Sequence, residues 1–230
     1  MKPRIKLAES NTPDGGTLAL FEHDGAFSIF LDGKELMHSK VSASEELLGQ
    51  VGVKHIAHGP ICRVLIGGLG LGFTLRSVLE ALRSKAEIEV VELLPAVIEW
   101  NRIHLRELNG KCLDDSRVTA LNEDVLKVIG GAPAGSYDAI LLDVDNGPVA
   151  MVAQGNASLY NDAGISRLRR ALKPEGRLAI WSAGRDQKFE SRLRKTRIRF
   201  ETVPAKVHER ARRSALVIYL IYPAPSSPPR

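Results

Sequence analysis

A glycine-rich turn between an apolar strand and a helix constrains this chain more than any other feature. Residues 64–72 read VLIGGLGLG, and the next apolar run, residues 88–92, reads IEVVE and ends in Glu92. Because glycine has no Cβ, the backbone of such a turn can approach a ligand closely. A carboxylate at the end of the following strand can accept hydrogen bonds from both hydroxyls of a ribose. The pattern therefore predicts a nucleoside site.

The spacing of the glycines narrows the class of ligand. The turn reads G-x-G-x-G, whereas the dinucleotide fingerprint places its third glycine one position later. The shorter spacing favours a mononucleoside over a pyrophosphate. The alternative interpretation is a tight structural turn followed by an incidental glutamate. The candidate cofactor-binding residues of this region are Gly67, Gly68, Gly70, Gly72, Glu92 and Leu93.

From Arg63 onward, strand-like and helix-like segments alternate, which is typical of a parallel, doubly wound sheet. Strands are predicted at 63–67, 87–92, 117–121, 137–143 and 177–182, and helices at 72–84, 95–108, 123–130, 159–172 and 186–195. The runs 197–203 and 214–222 are separated only by a loop, so they are expected to pair antiparallel at one edge. The predicted fold is α/β and Rossmann-like, with a mostly parallel seven-stranded sheet and a C-terminal antiparallel hairpin. This is the class I S-adenosylmethionine-dependent methyltransferase fold.

The N-terminal residues have a different pattern. Apolar runs flank Asp24-Gly25 and Asp32-Gly33, and Asp-Gly between apolar runs is the strongest short signal for a hairpin. Two such turns predict a three-stranded antiparallel meander. Residues 42–45, SASE, match a capping box that opens the next helix. The predicted organisation is a β-meander at 1–41, a nucleoside-binding domain at 42–222 and a disordered Pro/Ser-rich tail at 223–230.

Composition limits the class of protein further. Hydrophobic residues make up 44% of the 230 residues, enough for a sizeable core, and no apolar run approaches the ~20 residues that span a bilayer. Cys62 and Cys112 form no C-x-x-C motif, so a reduced, cytoplasmic setting is expected. The net charge is +5, with the excess within 185–213. We interpret that segment as the solvated face of a helix and a strand, and an RNA-binding surface is the alternative.

Two acidic groups follow later strands of the predicted sheet. Asp143 and Asp145 end the fourth strand, where alternate residues of an extended chain point to one side and ligands of open α/β sheets bind. Such acids can hold an ammonium group or remove a proton from an amine; for Asp145, a plain turn is the alternative. After the third strand, Asp124 and the N–H of Val125 are placed to meet an adenine. The alternative for Asp124 is a helix N-cap.

These motifs together resemble the polyamine aminopropyltransferases, the spermidine synthase family. The similarity extends from about Leu18 to Pro223. It is carried by the segments FLDG at 30–33, LIGG at 65–68, VVELLP at 90–95, YDAILLDVD at 137–145 and RALKPEG at 170–176. Members of the family carry an N-terminal β-meander before a methyltransferase-like domain.

The resemblance implies a role for each matching residue. Glu92 would bind the ribose, and Asp124 and Val125 would bind the adenine. Asp143 or Asp145 would hold or deprotonate the attacking amine. The donor would be decarboxylated S-adenosylmethionine, or S-adenosylmethionine itself, with 5'-methylthioadenosine as the leaving group of the aminopropyl transfer. We expect no metal ion, a small-molecule amine or another nucleophile as the acceptor, no nucleic acid or membrane partner, and a homodimer.

The sequence also departs from the family in the amine half of the site. The glycine turn of the family carries an aspartate that faces the ammonium of the aminopropyl group, whereas here the turn contains only glycine and leucine. Ser44-Glu45 stands where the family has its Tyr-His pair. A spermidine synthase-like transferase with an altered amine site is the leading hypothesis. The alternatives are an S-adenosylmethionine-dependent methyltransferase and a non-catalytic nucleoside- or RNA-binding protein.

Overall fold

The computed structural model describes residues 3–57, 61–82, 86–144, 158–208, 214 and 216–223. The strands form two sheets, one of four strands near the N-terminus and one of seven strands in the remainder of the described chain. The larger sheet carries helices on both faces and provides the frame of the candidate site.

The N-terminal sheet is antiparallel, with its strands in sequence order. It contains β1 (Ile5–Asn11), β2 (Thr17–His23), β3 (Ala26–Leu31) and β4 (Lys34–His38). Both predicted hairpin turns are present, and each has positive φ at its Asp and its Gly, as a two-residue type I′ turn requires. The prediction of three strands is wrong because β1 is an additional edge strand. Its side chains are mostly exposed, so its sequence lacks the apolar alternation of a half-buried strand.

The seven-stranded sheet has the order β10-β11-β9-β8-β5-β6-β7. Strands β5 to β9 pair in parallel, and β11 pairs antiparallel with both β9 and β10. The predicted fold class is therefore confirmed. The strands are β5 (Cys62–Gly67), β6 (Ala86–Glu92), β7 (Val118–Asn122), β8 (Tyr137–Leu142), β9 (Leu172–Ser182), β10 (Phe200–Ala205) and β11 (Leu216–Ile221).

Six α-helices are assigned among the described residues. They are α1 (Ala43–Val53), α2 (Phe73–Ala81), α3 (Pro95–Ile103), α4 (Val125–Gly131), α5 (Asp162–Ala171) and α6 (Gln187–Lys195). The core has two layers, one on each face of the large sheet, because successive strand residues point to opposite faces. In β5, Val64 and Ile66 pack with the helix residues Leu48 and Leu75, whereas Leu65 packs on the other face.

Three local predictions differ from the structure. The capping box is wrong, since Ser42 makes no side-chain hydrogen bond to the helix. Helix α3 ends at Ile103, before the predicted 108, and the chain turns back so that the buried Asn109 amide donates to Asn101 Oδ1 at 2.7 Å. Strand β9 begins at Leu172 directly after α5, with a register irregularity against β8 before Arg177.

The order of the strands fixes where a ligand can bind. The chain passes from β5 to β6 and β7 on one side, and then returns to place β8 on the other side of β5. Ligands of open α/β sheets bind beyond the carboxyl ends of the strands at such a switch point. The glycine turn follows β5 and Asp143 follows β8, so both lie at this position.

Candidate active site

The glycine turn is held by contacts that exclude side chains. Gly68 has φ +91°, and a Cβ built there would lie 2.2 Å from the backbone oxygen of Asp143. Gly72 has φ +88°, and a Cβ there would lie 2.8 Å from the Cβ of Asn109. At Gly67 a Cβ would meet Val125 Cγ2 at 2.9 Å. These glycines are required by packing within the protein, which brings the turn against the end of β8.

The two leucines of the turn anchor it in the hydrophobic core. Leu69 and Leu71 are 4% and 5% exposed and belong to the core on the α1 and α2 side. Gly70, with φ +51°, lies beneath the N-terminal sheet, because a Cβ there would be 3.2 Å from the sulfur of Met37 in β4. The N-terminal sheet thus reaches the rim of the turn, a contact that the sequence did not indicate.

Glu92 ends β6 beside the turn and is held by backbone donors. The Leu69 N–H donates to Oε2 and the Leu94 N–H donates to Oε1, each at 3.0 Å. Burial raises the pKa of Glu92, and these N–H groups oppose the rise in part. The Asn122 side chain donates to the carbonyl oxygens of Glu92 and Leu93 at 3.0 and 2.9 Å. The carboxylate is therefore fixed before any ligand is present.

The residues predicted to meet an adenine lie along the same edge of the sheet. Asp124 is the N-cap of α4, and its Oδ1 accepts from the Leu126 N–H at 2.8 Å. Capping, the alternative interpretation, is thus observed. Val125 is the first residue of the helix, and an N–H in that position has no acceptor within the helix. Leu93 is 57% exposed and presents an apolar surface between Glu92 and α3.

Asp143 lies at the end of β8 beside the side chain of Thr74 in α2. The Thr74 hydroxyl donates to Asp143 Oδ2 at 2.6 Å, and Thr74 is 1% exposed. Burial raises the pKa of Asp143 to about 7, with further contributions from the negative charges of Glu45 and Glu92. Asp145, the second predicted catalytic residue, lies outside the described residues.

Glu45 and Thr74 lie next to Asp143 in the structure, although no sequence motif predicts them as site residues. Glu45 lies in the first turn of α1, and its Oε2 accepts from Ser44 Oγ at 2.6 Å. Burial raises the pKa of the Glu45 carboxyl, and the Ser44 hydroxyl opposes the rise. The one sequence feature that pointed to Glu45 was the replacement of the family's Tyr-His pair by Ser44-Glu45. Nothing local to the sequence indicated Thr74.

Several basic side chains of the segment 185–213 make contacts within the protein. Glu190, buried in α6, accepts from Arg185 and Arg194, and Arg199 stacks over the Tyr222 ring at 4.6 Å. A surface groove of about 520 Å³ lies along α6, lined by Lys188, Arg192, Lys195 and four uncharged or acidic neighbours, and it contains no predicted site residue. Residues 209–213 of the segment lie outside the described residues.

The described residues contain neither a membrane-spanning helix nor a metal-binding cluster. Within the described residues, no helix combines the length and the apolar character needed to cross a bilayer. No group of three or more His, Cys, Asp or Glu side chains in the described ranges is arranged to hold a metal ion.

The sequence matches a known protein family over the segment that forms this site. A family model for the spermine/spermidine synthase domain matches residues 43–192, a segment that contains the glycine turn, Glu92, Asp124 and Asp143. Polyamine aminopropyltransferase 2 of Streptomyces coelicolor is 32% identical over 155 residues, which cover 66% of this chain and 26% of that protein. Putrescine N-methyltransferase 1 of Nicotiana tabacum is 32% identical over 114 residues, or 50% of this chain and 28% of that one.

The fold comparison agrees with the sequence comparison. A crystal structure of spermidine synthase in complex with the transition-state analogue AdoDATO superposes with a TM-score of 0.73 at 21% identity, covering 94% of this chain and 73% of the other. The chain thus spans about a quarter of the Streptomyces relative and most of the solved synthase. From the family match over most of its length, this chain belongs to the spermine/spermidine synthase family.

Proposed function

We propose that this chain is a transferase that binds decarboxylated S-adenosylmethionine and moves the aminopropyl group to an amine. The observation that carries the proposal is the position of Glu92 and Asp143 on either side of the glycine turn at the switch point of the sheet. Family membership supports it, as does the fold shared with a spermidine synthase solved with a transition-state analogue.

The nucleoside half of the donor is assigned to the ends of β6 and β7. Glu92, fixed by two backbone donors, accepts from the ribose hydroxyls with its remaining lone pairs. The adenine lies over the exposed Leu93. Asp124 accepts from its exocyclic amine, and the Val125 N–H donates to a ring nitrogen. The glycines Gly67, Gly68, Gly70 and Gly72 keep side chains away from the path of the donor.

The reaction at the other half is a displacement at a carbon bonded to sulfonium sulfur. The acceptor arrives as an ammonium ion, and Asp143 takes one proton from it. The freed nitrogen lone pair then forms the new N–C bond as the C–S bond breaks, and the electron pair neutralises the sulfur of 5'-methylthioadenosine. A carboxyl with a pKa near 7 suits proton exchange at neutral pH. Asp145 is retained as a second candidate for this role.

The test is a direct product assay. The protein is incubated with decarboxylated S-adenosylmethionine and a series of linear diamines, and 5'-methylthioadenosine is measured by chromatography. Release that depends on a diamine supports the proposal, with Asp143→Asn expected to lose turnover while it keeps the fold. If the donor binds but no diamine leads to release of 5'-methylthioadenosine, the non-catalytic nucleoside-binding alternative is supported instead.

Methyl transfer is the second candidate function. Two observations favour it: the similarity to a putrescine N-methyltransferase and the absence of an acid in the glycine turn. Intact S-adenosylmethionine carries a carboxylate that an acidic turn would repel, and this turn would not. Formation of S-adenosylhomocysteine from intact donor and a diamine, without 5'-methylthioadenosine, would establish this reaction instead.

We also propose that the protein acts as a cytoplasmic homodimer, with residues 1–41 and 42–222 as its two structural units. The exposed apolar side chains Ile5 and Met37, at 50% and 37%, lie on the N-terminal sheet and support an association there. Both cysteines are buried and free, in keeping with a reduced compartment. Sedimentation equilibrium distinguishes the dimer from the monomer.

A further inference from the structure

The candidate site contains more negative charge than the described residues neutralise. Glu45, Glu92 and Asp143 come from α1, β6 and the end of β8, and the electrostatic influence of both glutamates reaches Asp143. None of the ion pairs formed between described residues includes any of the three. Burying unpaired carboxylates is costly, so a cationic ligand would relieve an unfavourable state of the free protein.

Glu45 and Asp143 are joined through Thr74. The Thr74 Oγ1 lies 2.6 Å from Asp143 Oδ2 and 3.3 Å from the backbone oxygen of Glu45. Thr74 therefore ties the first turn of α1 to the end of β8. Ser44, which is 1% exposed, donates to Glu45 Oε2 and so orients that carboxylate before a ligand binds.

Glu92 is not available for an amine, since the proposed function assigns to the ribose hydroxyls the lone pairs that its two backbone N–H donors leave free. The glycine turn supplies no carboxylate, and its two leucines are buried in the core. Glu45 is therefore the remaining acid beside Asp143 among the three.

We propose that Glu45 is a specificity-determining residue that binds a primary ammonium group together with Asp143, and so replaces the acid that the glycine turn lacks. The ammonium group belongs either to the aminopropyl chain of the donor or to the acceptor, and both present the same chemistry to the carboxylates. The inference rests on the proposed function, because it concerns the amine half of the same site.

The experiment compares wild type, Glu45→Gln and the control Glu80→Gln. Glu80 has a 71% exposed side chain on α2, so its substitution changes the net charge equally but outside the site. Calorimetric titrations use decarboxylated S-adenosylmethionine, 5'-methylthioadenosine, which lacks the ammonium group, and putrescine as a diamine. Thermal melts verify that each variant is folded.

For Glu45→Gln we expect weaker binding of the ammonium-bearing ligand by about tenfold or more, the effect of losing a charge-assisted bond. Binding of 5'-methylthioadenosine should stay within about twofold of wild type. A loss confined to the decarboxylated donor identifies the aminopropyl ammonium, and a loss confined to the diamine identifies the acceptor. Equal losses for 5'-methylthioadenosine and the donor would show a structural role and overturn the inference, as would unchanged binding of every ligand.

Failure of the proposed function has a different signature. If wild type binds neither nucleoside, the donor site is wrong, and the diamine titration alone then decides whether Glu45 binds ammonium groups. If wild type binds both nucleosides and Glu45→Gln matches Glu80→Gln throughout, the donor site stands and the role of Glu45 is refuted.

Discussion

Replacing Gly68 by alanine tests the contact between the glycine turn and the end of β8. The new Cβ would lie 2.2 Å from the backbone oxygen of Asp143, so one of the two segments must retreat by about 1 Å to reach an ordinary contact. Neither segment moves freely, because the Gly68 N–H donates to the Val91 oxygen and the Asp143 N–H donates to the Gly67 oxygen, each at 2.8 Å.

The expected cost has two parts. A positive φ costs a residue with a Cβ about 1–2 kcal/mol. Forcing a methyl group into a packed contact adds about 1–3 kcal/mol. The sum of about 2–5 kcal/mol is a large share of the roughly 5–15 kcal/mol that stabilises a typical domain. A displacement of about 1 Å at Asp143 should also reduce turnover by about 100-fold.

Gly135→Ala is the matched control for Gly68→Ala. Gly135 has φ +70° with no atom within 4 Å of the added Cβ, so it has the backbone cost without the clash. Urea unfolding can be followed through the fluorescence of Trp100 and Trp181. We expect Gly135→Ala to lose about 1–2 kcal/mol and Gly68→Ala to lose about 1–3 kcal/mol more. Equal losses in the two variants would refute the argument that the Asp143 carbonyl excludes a side chain.

Three further predictions concern individual carboxylates. Glu92→Gln should weaken 5'-methylthioadenosine binding by about tenfold or more in calorimetry, because a carboxylate acceptor is lost, and unchanged affinity would remove it from the ribose site. Glu190→Gln should lower the free energy of unfolding in urea by about 1–2 kcal/mol, because a buried carboxylate bonded to Arg185 and Arg194 becomes neutral; no change would show that those bonds contribute nothing. Asp143 has its pKa raised to about 7, so the folded state binds this proton more tightly than the unfolded chain. The free energy of unfolding should therefore fall as pH rises from about 4 to about 7, and Asp143→Asn should flatten that part of the profile; equal slopes would contradict the raised pKa.

The geometry of the proposed nucleoside half of the site could be predicted because its determinants are local in the sequence. A turn that needs positive φ and close backbone contacts must use glycine, so Gly68 and Gly72 were visible as a pattern. Glu92 is the last residue of an apolar strand, and parallel pairing of β5 and β6 then brings it to the turn. The parallel pairing of the central strands followed from the same alternation, and the antiparallel hairpin at one edge followed from the short connection between the last two strands.

The parts that could not be predicted depend on contacts between distant segments. Thr74 meets Asp143 across 69 positions of sequence, and the Met37 sulfur lies over Gly70 only because β4 packs against the turn. The edge strand β1 has few buried side chains, so burial leaves no pattern in its sequence. Ser42 has the right residue type for a cap but an αR backbone, with φ −118° and ψ −12°, where an N-cap residue is typically extended.

The two proposed halves of the site should therefore respond differently to substitution. The proposed nucleoside half is built from backbone N–H groups and from glycines that the packing requires, so substitution of those glycines should disturb the fold. The proposed amine half consists of side chains from three elements, Glu45 on α1, Thr74 on α2 and Asp143 after β8. A single change in the first turn of α1 alters the charge offered to a ligand and leaves the glycine turn in place. We therefore expect proteins of this fold that prefer different amines to differ in sequence mainly in the first turn of α1. The backbone conformation there does not require a particular residue type.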